Sequence, residues 1–276
     1  MNTRNLLIAV FSYNMGVTLE NCLSSIAELC PGFDVVVMDD ASGDPVTQAV
    51  LERWRPRLKG VFTNTSSKDG KRHGNLYANI RQMCDYARAN GYRYLMMLQD
   101  DMQFVRPLSQ DVLDQYQRIF DANPKVLQVD PRFLRRGEFE VLPALRAYRY
   151  DSGTSYADVG VTDLERLAES GVEIGEGERA NKHAFADKGY QRYFPFTPVA
   201  MHMPFPQRYR NGALKRSLLL WNRGKYGYHP MTAAEMKAMD ARDLAVYPHF
   251  RRFLRVKNMI LGRIFYRLKK DTSVFG

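Results

Sequence analysis

The sequence has 276 residues, of which 45% are hydrophobic and 25% charged, with 3 cysteines and a net charge of +10. This composition is typical of a globular protein, and it excludes a largely disordered chain, a collagen-like chain and a disulfide-stabilised scaffold. No apolar run approaches the roughly 20 residues that cross a bilayer, and no signal peptide is recognisable, so we expect a cytoplasmic protein.

Basic residues are concentrated towards the C-terminus. Residues 201–276 contain 16 Lys and Arg against 4 Asp and Glu, whereas residues 1–200 contain 24 and 26. A near-neutral body with a strongly basic tail predicts an anionic partner for the tail, which is a phospholipid, a phosphorylated lipid or a nucleic acid.

Strands and helices are predicted to alternate through the N-terminal part of the chain. Two apolar runs, at residues 6–11 and 35–38, have the character of buried parallel strands. Residues 60–64 and 94–98 are predicted as a third and a fourth strand. The stretches between them carry apolar residues at helical spacing and begin near Thr18, Asp44-Pro45 and Leu76. This order predicts a mostly parallel sheet with helices on both faces, and ligands of such sheets bind beyond the carboxyl ends of the strands.

The remainder of the chain shows fewer regular patterns. The predicted elements are a helix over 109–120, a strand over 126–129, a helix over 178–188 and two helices that start at capping boxes at Thr162 and Thr232. The segment 192–212 is rich in proline and aromatic residues, which predicts irregular or edge structure.

Two pairs of adjacent aspartates follow strands at the predicted binding edge. They are Asp39-Asp40 and Asp100-Asp101. Adjacent carboxylates repel each other, but they become useful when a hard divalent cation such as Mg²⁺ or Mn²⁺ and its phosphate ligand lie between them. The alternative is that these are solvated loop residues that cap the following helices.

Several segments resemble the opening of the family 2 type glycosyltransferases. The matching stretches are LIAVFSYN at 7–14, LENCLSSI at 19–26 and VVVMDDASGD at 35–44. Gly74-Asn75 resembles the helix start before the family's metal motif, and Gln99-Asp100-Asp101 resembles that motif itself. The resemblance covers residues 5–106. Leu98 departs from it, because the commonest form of the motif has an acid there.

The resemblance implies the α/β fold called GT-A, over residues 1–230, with a nucleotide-sugar-binding half at 1–106 and an acceptor half at 107–230. A basic helical extension would follow at 231–276. The implied activity is metal-dependent, inverting transfer of a sugar from a nucleotide diphosphate sugar to a hydroxyl of a surface glycan or lipid-linked acceptor, in polysaccharide biosynthesis. The alternatives are a sugar nucleotidyltransferase and an inactive nucleotide-binding or nucleic-acid-binding protein, although we expect no nucleic-acid partner.

The resemblance also implies roles in binding the donor and the metal. The donor-binding residues would be Ser12 and Asn14 beside the base and ribose, Asp39 or Asp40 at the base edge, Lys71 and Arg72 at the diphosphate, and Asp100 at the ribose or sugar. For Lys71 and Arg72, a solvated basic turn is an equally good interpretation. Asp101 is the predicted ligand of Mn²⁺ or Mg²⁺, and His202 is a second candidate ligand whose alternative role is structural.

An inverting transfer also needs a base that deprotonates the acceptor hydroxyl. The family places an acid at a helix start in the second half of the chain. Glu178 is the first candidate and Glu176 the second, with Asp158 and Asp163 as further candidates. A glutamate at a helix start can also serve only to interact favourably with the helix dipole.

The predicted helix over 248–270 combines an apolar stripe with many arginines and lysines. This pattern is typical of a helix that lies in a membrane interface, and it is equally compatible with a helix docked on the domain. The first interpretation would place the protein peripherally on the inner face of the membrane.

If the helix binds membrane, the full chain should co-sediment with vesicles rich in anionic lipid at low salt. Each basic residue near such a surface contributes about 1 kcal/mol, and this attraction weakens as salt shortens the Debye length. The matched control is a form ending at Tyr247, which should stay in the supernatant. Failure of the full chain to bind at low salt would leave the docked helix as the explanation.

Overall fold

The computed structural model describes residues 1–67, 74–134, 139–150, 155–203, 208–210, 213–215, 230–249 and 253. The strands in these residues are β1 (Leu6–Ser12), β2 (Asp34–Asp39), β3 (Gly60–Thr63), β4 (Tyr94–Gln99), β5 (Met102–Phe104), β6 (Val126–Val129), β7 (Phe139–Leu142), β8 (Ala147–Tyr150), β9 (Gly160–Asp163), β10 (Gln191–Pro195), β11 (Ala200–His202), β12 (Arg208–Arg210) and β13 (Ala213–Lys215).

The helices are α1 (Gly16–Leu29), α2 (Pro45–Trp54), α3 (Leu76–Ala89), α4 (Gln110–Ala122), α5 (Leu164–Glu169), α6 (Glu178–Asp187) and α7 (Ala233–Asp240). Two short 3-10 turns cover Arg55–Arg57 and Pro143–Leu145. Among these helices, none is long and apolar enough to cross a membrane.

A nine-stranded sheet with the order β3-β2-β1-β4-β9-β6-β10-β8-β7 forms the centre of the molecule. Strands β1 to β4 are parallel to one another, and β6 is parallel to β10. Strand β9 is antiparallel to both β4 and β6, and β8 is antiparallel to its two neighbours. The predicted mostly parallel α/β sheet is therefore confirmed.

Strand β1 lies between β2 and β4, and all seven of its residues are buried. Its even-numbered apolar residues pack with side chains of α1, α2 and α4, and its odd-numbered residues pack with those of α3, α5 and α6. This explains why the strand is apolar almost throughout instead of alternating, because both of its faces are covered by helices. Each fully buried aliphatic side chain contributes roughly 1.5–3 kcal/mol to folding.

The elements predicted in the N-terminal part agree with the structure to within a few residues. The four predicted strands correspond to β1 to β4, and the three helical stretches correspond to α1 to α3. Helix α2 begins as predicted, since the Asp44 carboxylate accepts a hydrogen bond from the Thr47 amide at 2.8 Å and Pro45 occupies the first helical position.

Two predictions for the second half are wrong. The segment predicted as irregular or edge structure contains most of β10, an interior strand between β6 and β8. Thr162 is not a helix cap, because it lies within β9, and Asp163 instead caps α5 through bonds from the amides of Glu165 and Arg166. The capping box at Thr232 is confirmed at the start of α7.

Residues 231–249 pack on the sheet domain. Met231 and Met239 are buried in one apolar cluster with Val105 and Phe133, and Tyr247 packs edge-on against Phe139 at 5.1 Å between ring centroids. The basic helix predicted over 248–270 lies outside the described residues except at positions 248, 249 and 253.

Candidate active site

The carboxyl ends of β1, β2 and β4 bring the predicted donor-binding residues to one edge of the sheet. Ser12 pairs with Asp39 in the parallel register of β1 and β2, and Phe11 pairs with Gln99 in that of β1 and β4. The two aspartate pairs, which are separated by about 60 residues of sequence, therefore meet at the same place as expected for parallel strands.

Asp39 and Asn14 join the loops that follow β1 and β2. The Asp39 carboxylate accepts hydrogen bonds from the Ser42 hydroxyl at 2.6 Å and the Ser42 amide at 2.8 Å. The Ser42 hydroxyl in turn accepts from the Asn14 amide at 2.8 Å, and the Asn14 side-chain oxygen accepts from the Asp44 amide at 2.9 Å. Asn14 has a φ of 54°, in the left-handed region that asparagine tolerates. These bonds connect the loop after β1 directly to the loop after β2.

Asp40 connects the sheet edge to the start of α3. Its carboxylate accepts from the Asn75 side-chain amide at 2.9 Å and from the Asn75 backbone amide at 3.2 Å. Asn75 is completely buried and directly precedes α3. Lys71 and Arg72, which the sequence places near the diphosphate, lie outside the described residues.

Asp100 is a buried acid in an unfavourable environment. One of its carboxylate oxygens accepts from the Tyr13 amide at 2.9 Å. Burial raises the pKa of Asp100 well above its ordinary value, and the negative charges of Asp101 and Asp39 raise it further. The site is thus electrostatically prepared for a cation or a hydrogen-bond donor that would relieve this repulsion.

The two predicted metal residues lie side by side. Strands β5 and β11 pair antiparallel, with His202 opposite Met102. The imidazole therefore lies next to Asp101, which directly precedes Met102. The His202 Nδ1 atom lies 3.2 Å from Asp101 Oδ1, and both side chains are largely buried. His202 comes from the second half of the chain, so this contact connects that half to the sheet edge formed by β1, β2 and β4.

The residues present fit a divalent cation held in part by the substrate. No group of three or more His, Cys, Asp or Glu suited to a metal occurs among the described residues. Mg²⁺ and Mn²⁺ bound together with a nucleotide do not require such a cage, because they use one or two carboxylates and complete their coordination with phosphate oxygens and water. Leu98, the departure from the metal motif, is 1% exposed and packs in the apolar core.

Asp158 and Glu178 lie on the side of the site that the second half of the chain forms. The side-chain amide of Gln99, the first residue of the predicted metal motif, donates to Asp158 at 3.1 Å. Burial and the negative charge of Glu178 raise the pKa of Asp158. The hydrogen bond from Gln99 connects this carboxylate to the residue directly before Asp100.

Glu178 is the first residue of α6 and pairs with Lys182 one turn later at 2.9 Å. Although partial burial acts in the opposite direction, the hydrogen bond and charge of Lys182 and the charges of Arg192 and Arg132 lower the pKa of Glu178. Glu176 lies 3.8 Å from Arg81 of α3 and is half exposed.

Asp163 has a structural role. It is completely buried at the end of β9, caps α5 and lies 3.1 Å from Arg93 and 3.5 Å from Arg166. Asp163 pairs with Tyr94, the first residue of β4. It therefore lies at the opposite edge of the sheet from the aspartate pairs, which follow the carboxyl ends of the strands.

Asp130 and Arg132 were not identified from the sequence. The Arg132 guanidinium donates to Asp130 at 2.9 and 2.6 Å and contacts His202 Nε2 at 2.9 Å. Burial acts to raise the pKa of Asp130, but the charge and hydrogen bonds of Arg132, with the charge of Arg192, lower it to about 2. An acid directly after a buried strand was the available signal, because Asp130 follows β6 much as Asp100 follows β4.

Comparison with known families gives one match of substantial length. The family model described as Glycosyl transferase family 2 matches residues 7–149, just over half of the chain. No curated protein matches the sequence.

Similar solved structures include the mannosyltransferase PcManGT from Pyrobaculum calidifontis in complex with GDP-Man and Mn²⁺, at 20% identity and a TM-score of 0.47, with 69% of this chain and 54% of that chain covered. S. aureus TarS is similar at 14% identity and a TM-score of 0.49, over 74% of this chain and 37% of that chain. A complex of TarS 1-349 with UDP has 17% identity and a TM-score of 0.46, over 69% and 57%. This chain therefore spans less than two thirds of the length of each of these structures.

Replacing Asp100 with asparagine should stabilise the metal-free protein at neutral and alkaline pH. Folding raises the pKa of Asp100. Between the ordinary and the raised pKa the folded state binds more protons than the unfolded state, so the free energy of unfolding falls as pH rises through this range. The asparagine side chain would keep an oxygen for the Tyr13 amide and remove the charge.

The measurement is urea unfolding in EDTA at pH 4.5 and pH 8. Asp100→Asn should exceed the wild type at pH 8, and the difference should shrink at pH 4.5. The control Asp187→Asn changes an exposed residue at the end of α6 and should have no effect. A variant less stable than wild type at both pH values would contradict the repulsion described above.

Proposed function

The chain belongs to glycosyl transferase family 2 and has the GT-A fold, and from that premise we propose that it transfers a sugar from a nucleotide diphosphate sugar to an acceptor hydroxyl. The proposed reaction is metal-dependent and inverting, and the proposed acceptor is a surface glycan or its lipid carrier. The observation that supports the proposal is the contact between the edge formed by β1, β2 and β4 and the second half of the chain, where Asp101 meets His202 and Gln99 meets Asp158. In this proposal the donor binds along that edge and the acceptor binds beside it.

The donor would lie along the edge formed by β1, β2 and β4. A carboxylate has about four lone-pair sites, and Asp39 or Asp40 would use one of them to accept the N–H of a base. In this proposal Ser12 and Asn14 contact the base or ribose, Asp100 contacts the ribose or sugar, and Lys71 and Arg72 contact the diphosphate.

Asp101 would hold Mn²⁺ or Mg²⁺ together with the diphosphate of the donor. When bound, such a cation neutralises the negative charge that develops on the leaving diphosphate. Asp101 is suited to this role because it is an acid at the strand end and lies next to the buried Asp100. The position of the proton on the His202 ring decides whether His202 could bind the cation or would donate a hydrogen bond to Asp101.

Glu178 is the proposed base. It would accept the proton of the acceptor hydroxyl from the face opposite the leaving diphosphate, and its lowered pKa keeps it ionised at neutral pH. Asp158 is the alternative, because it contacts the metal motif through Gln99. The structural role of Asp163 makes it a poor candidate, and Glu176, just before α6, remains the second candidate of that segment.

Asp101→Ala should abolish metal-dependent nucleotide binding and leave the fold intact. The test is a thermal-shift titration of UDP, GDP, CDP and dTDP with and without Mn²⁺. A ligand that binds only the native state at about 100 times its Kd stabilises it by about 2.7 kcal/mol, and this gain should vanish in the variant. Asp187→Ala is the matched control. Wild-type stabilisation by Mn²⁺ and nucleotide in Asp101→Ala would overturn the metal assignment.

Glu178→Gln should keep donor binding and lose turnover by roughly 10²–10⁴-fold, because an amide cannot accept the acceptor's proton. Turnover is measured as release of nucleoside diphosphate from the donor, and binding as the thermal shift. Glu176→Gln and Asp163→Asn should bind the donor and turn it over when assayed at a temperature at which each variant is folded. If Asp158→Asn loses turnover while Glu178→Gln stays active, Asp158 is the base.

A further inference from the structure

Four side chains form a continuous series that ends at the proposed metal ligand. Asp130 accepts bonds from the Arg132 guanidinium, Arg132 Nη1 lies 2.9 Å from His202 Nε2, and His202 Nδ1 lies 3.2 Å from Asp101 Oδ1. The members come from three separate parts of the sequence, and each is at least four-fifths buried.

The contact with Arg132 determines the protonation of the His202 ring. A guanidinium has five N–H donors and no acceptor, so the facing Nε2 atom must supply a lone pair. Neutral imidazole has one N–H, which must then be on Nδ1. The Nδ1–H group points at Asp101 Oδ1, and a carboxylate is an acceptor. Both ring contacts are satisfied by this one tautomer.

A metal ligand would need a different arrangement. Coordination through Nδ1 requires a lone pair on Nδ1 and a proton on Nε2, and that proton would face the N–H of Arg132. Coordination through Nε2 would require the ring to leave Arg132. The contacts of His202 therefore favour a hydrogen-bond donor to Asp101 over a ligand.

Arg132 is held firmly enough to impose this choice. Asp130 is completely buried and binds the guanidinium through both oxygens, and its Oδ1 also accepts from the Arg132 backbone amide at 3.1 Å. A second arginine, Arg192, lies 3.7 Å from the same carboxylate. Arg132 cannot move away from His202 without breaking a fork of two charge-assisted bonds.

We propose that Arg132 and His202 are positioning residues for Asp101. Arg132 fixes His202 as the Nδ1–H tautomer, and His202 donates to Asp101 and sets the orientation of that carboxylate towards the cation. This inference rests on the proposed role of Asp101 as a metal ligand. In it, His202 donates a hydrogen bond to Asp101 and does not itself bind the cation.

The tautomer can be measured on the metal-free full chain by ¹⁵N NMR of the histidine rings at pH 8. The signals of His202 are assigned by their loss in His202→Asn. We expect a protonated Nδ1 and an unprotonated Nε2, the form that free histidine disfavours. Arg132→Met has no N–H to offer Nε2, while Arg192 still lies beside the Asp130 carboxylate. A mixture of the two tautomers should therefore appear in this variant. An Nε2–H tautomer or a doubly protonated ring in the wild type would overturn the proposal.

The consequence for the metal is tested by pulsed EPR of Mn²⁺ with UDP, GDP, CDP or dTDP. We expect no hyperfine coupling from a directly bound imidazole nitrogen. His202→Ala should weaken Mn²⁺ binding about tenfold, a typical loss for a partner of a metal ligand, and His202→Asn should restore it to within about threefold of wild type because its amide can donate near the position of Nδ1. A nitrogen coupling that disappears in His202→Asn would identify His202 as a ligand and refute the proposal. If Mn²⁺ and nucleotide do not bind at all, the proposed function fails, and the NMR result still decides the tautomer.

Discussion

Repulsion between carboxylates at one end of an apolar sheet is the constraint on which the rest of the site depends. Parallel strands direct their carboxyl ends to the same edge, so acids that follow β2 and β4 must approach each other. Each acid is restrained by a neighbour: Asp39 accepts from Ser42, Asp40 from Asn75 and Asp100 from the Tyr13 amide, and His202 contacts Asp101. Asp100 keeps a raised pKa in spite of its hydrogen bond, so the edge retains a demand for positive charge that a cation would satisfy.

The N-terminal part was predictable because its information is local. The apolar runs of β1 to β4 and the helical spacing in α1 to α3 can be recognised within about ten to fifteen residues. Parallel topology then brings Asp39 and Asp100 together without any knowledge of side-chain positions. The family resemblance extends over the same stretch, which is also most of the matched range at 7–149.

The second half was less predictable because its contacts are distant in sequence. Strand β10 pairs with β6 and β8, and its short mixed sequence QRYFP has no alternation to indicate an interior position. Thr162 has the spacing of a capping box, but β9 continues through it to pair with β4 and β6. Arg132 acquires its role only through His202, 70 residues further on, and no local pattern encodes that pairing.

The short ladder between β5 and β11 has a consequence for how the sequence can vary. Successive side chains of a strand point to opposite faces, so a slip of one residue would turn His202 away from Asp101 and present Met201 or Met203 instead. Only four residues, 196–199, separate β10 from β11, and β10 is anchored in the interior of the large sheet. A single insertion or deletion in this connection should therefore move His202 away from Asp101 and should also disturb the buried side chains of Phe196 and Val199. Changes in length beyond Met203 do not alter the β5–β11 register. Differences in length are therefore better tolerated on the C-terminal side of Met203 than between β10 and β11.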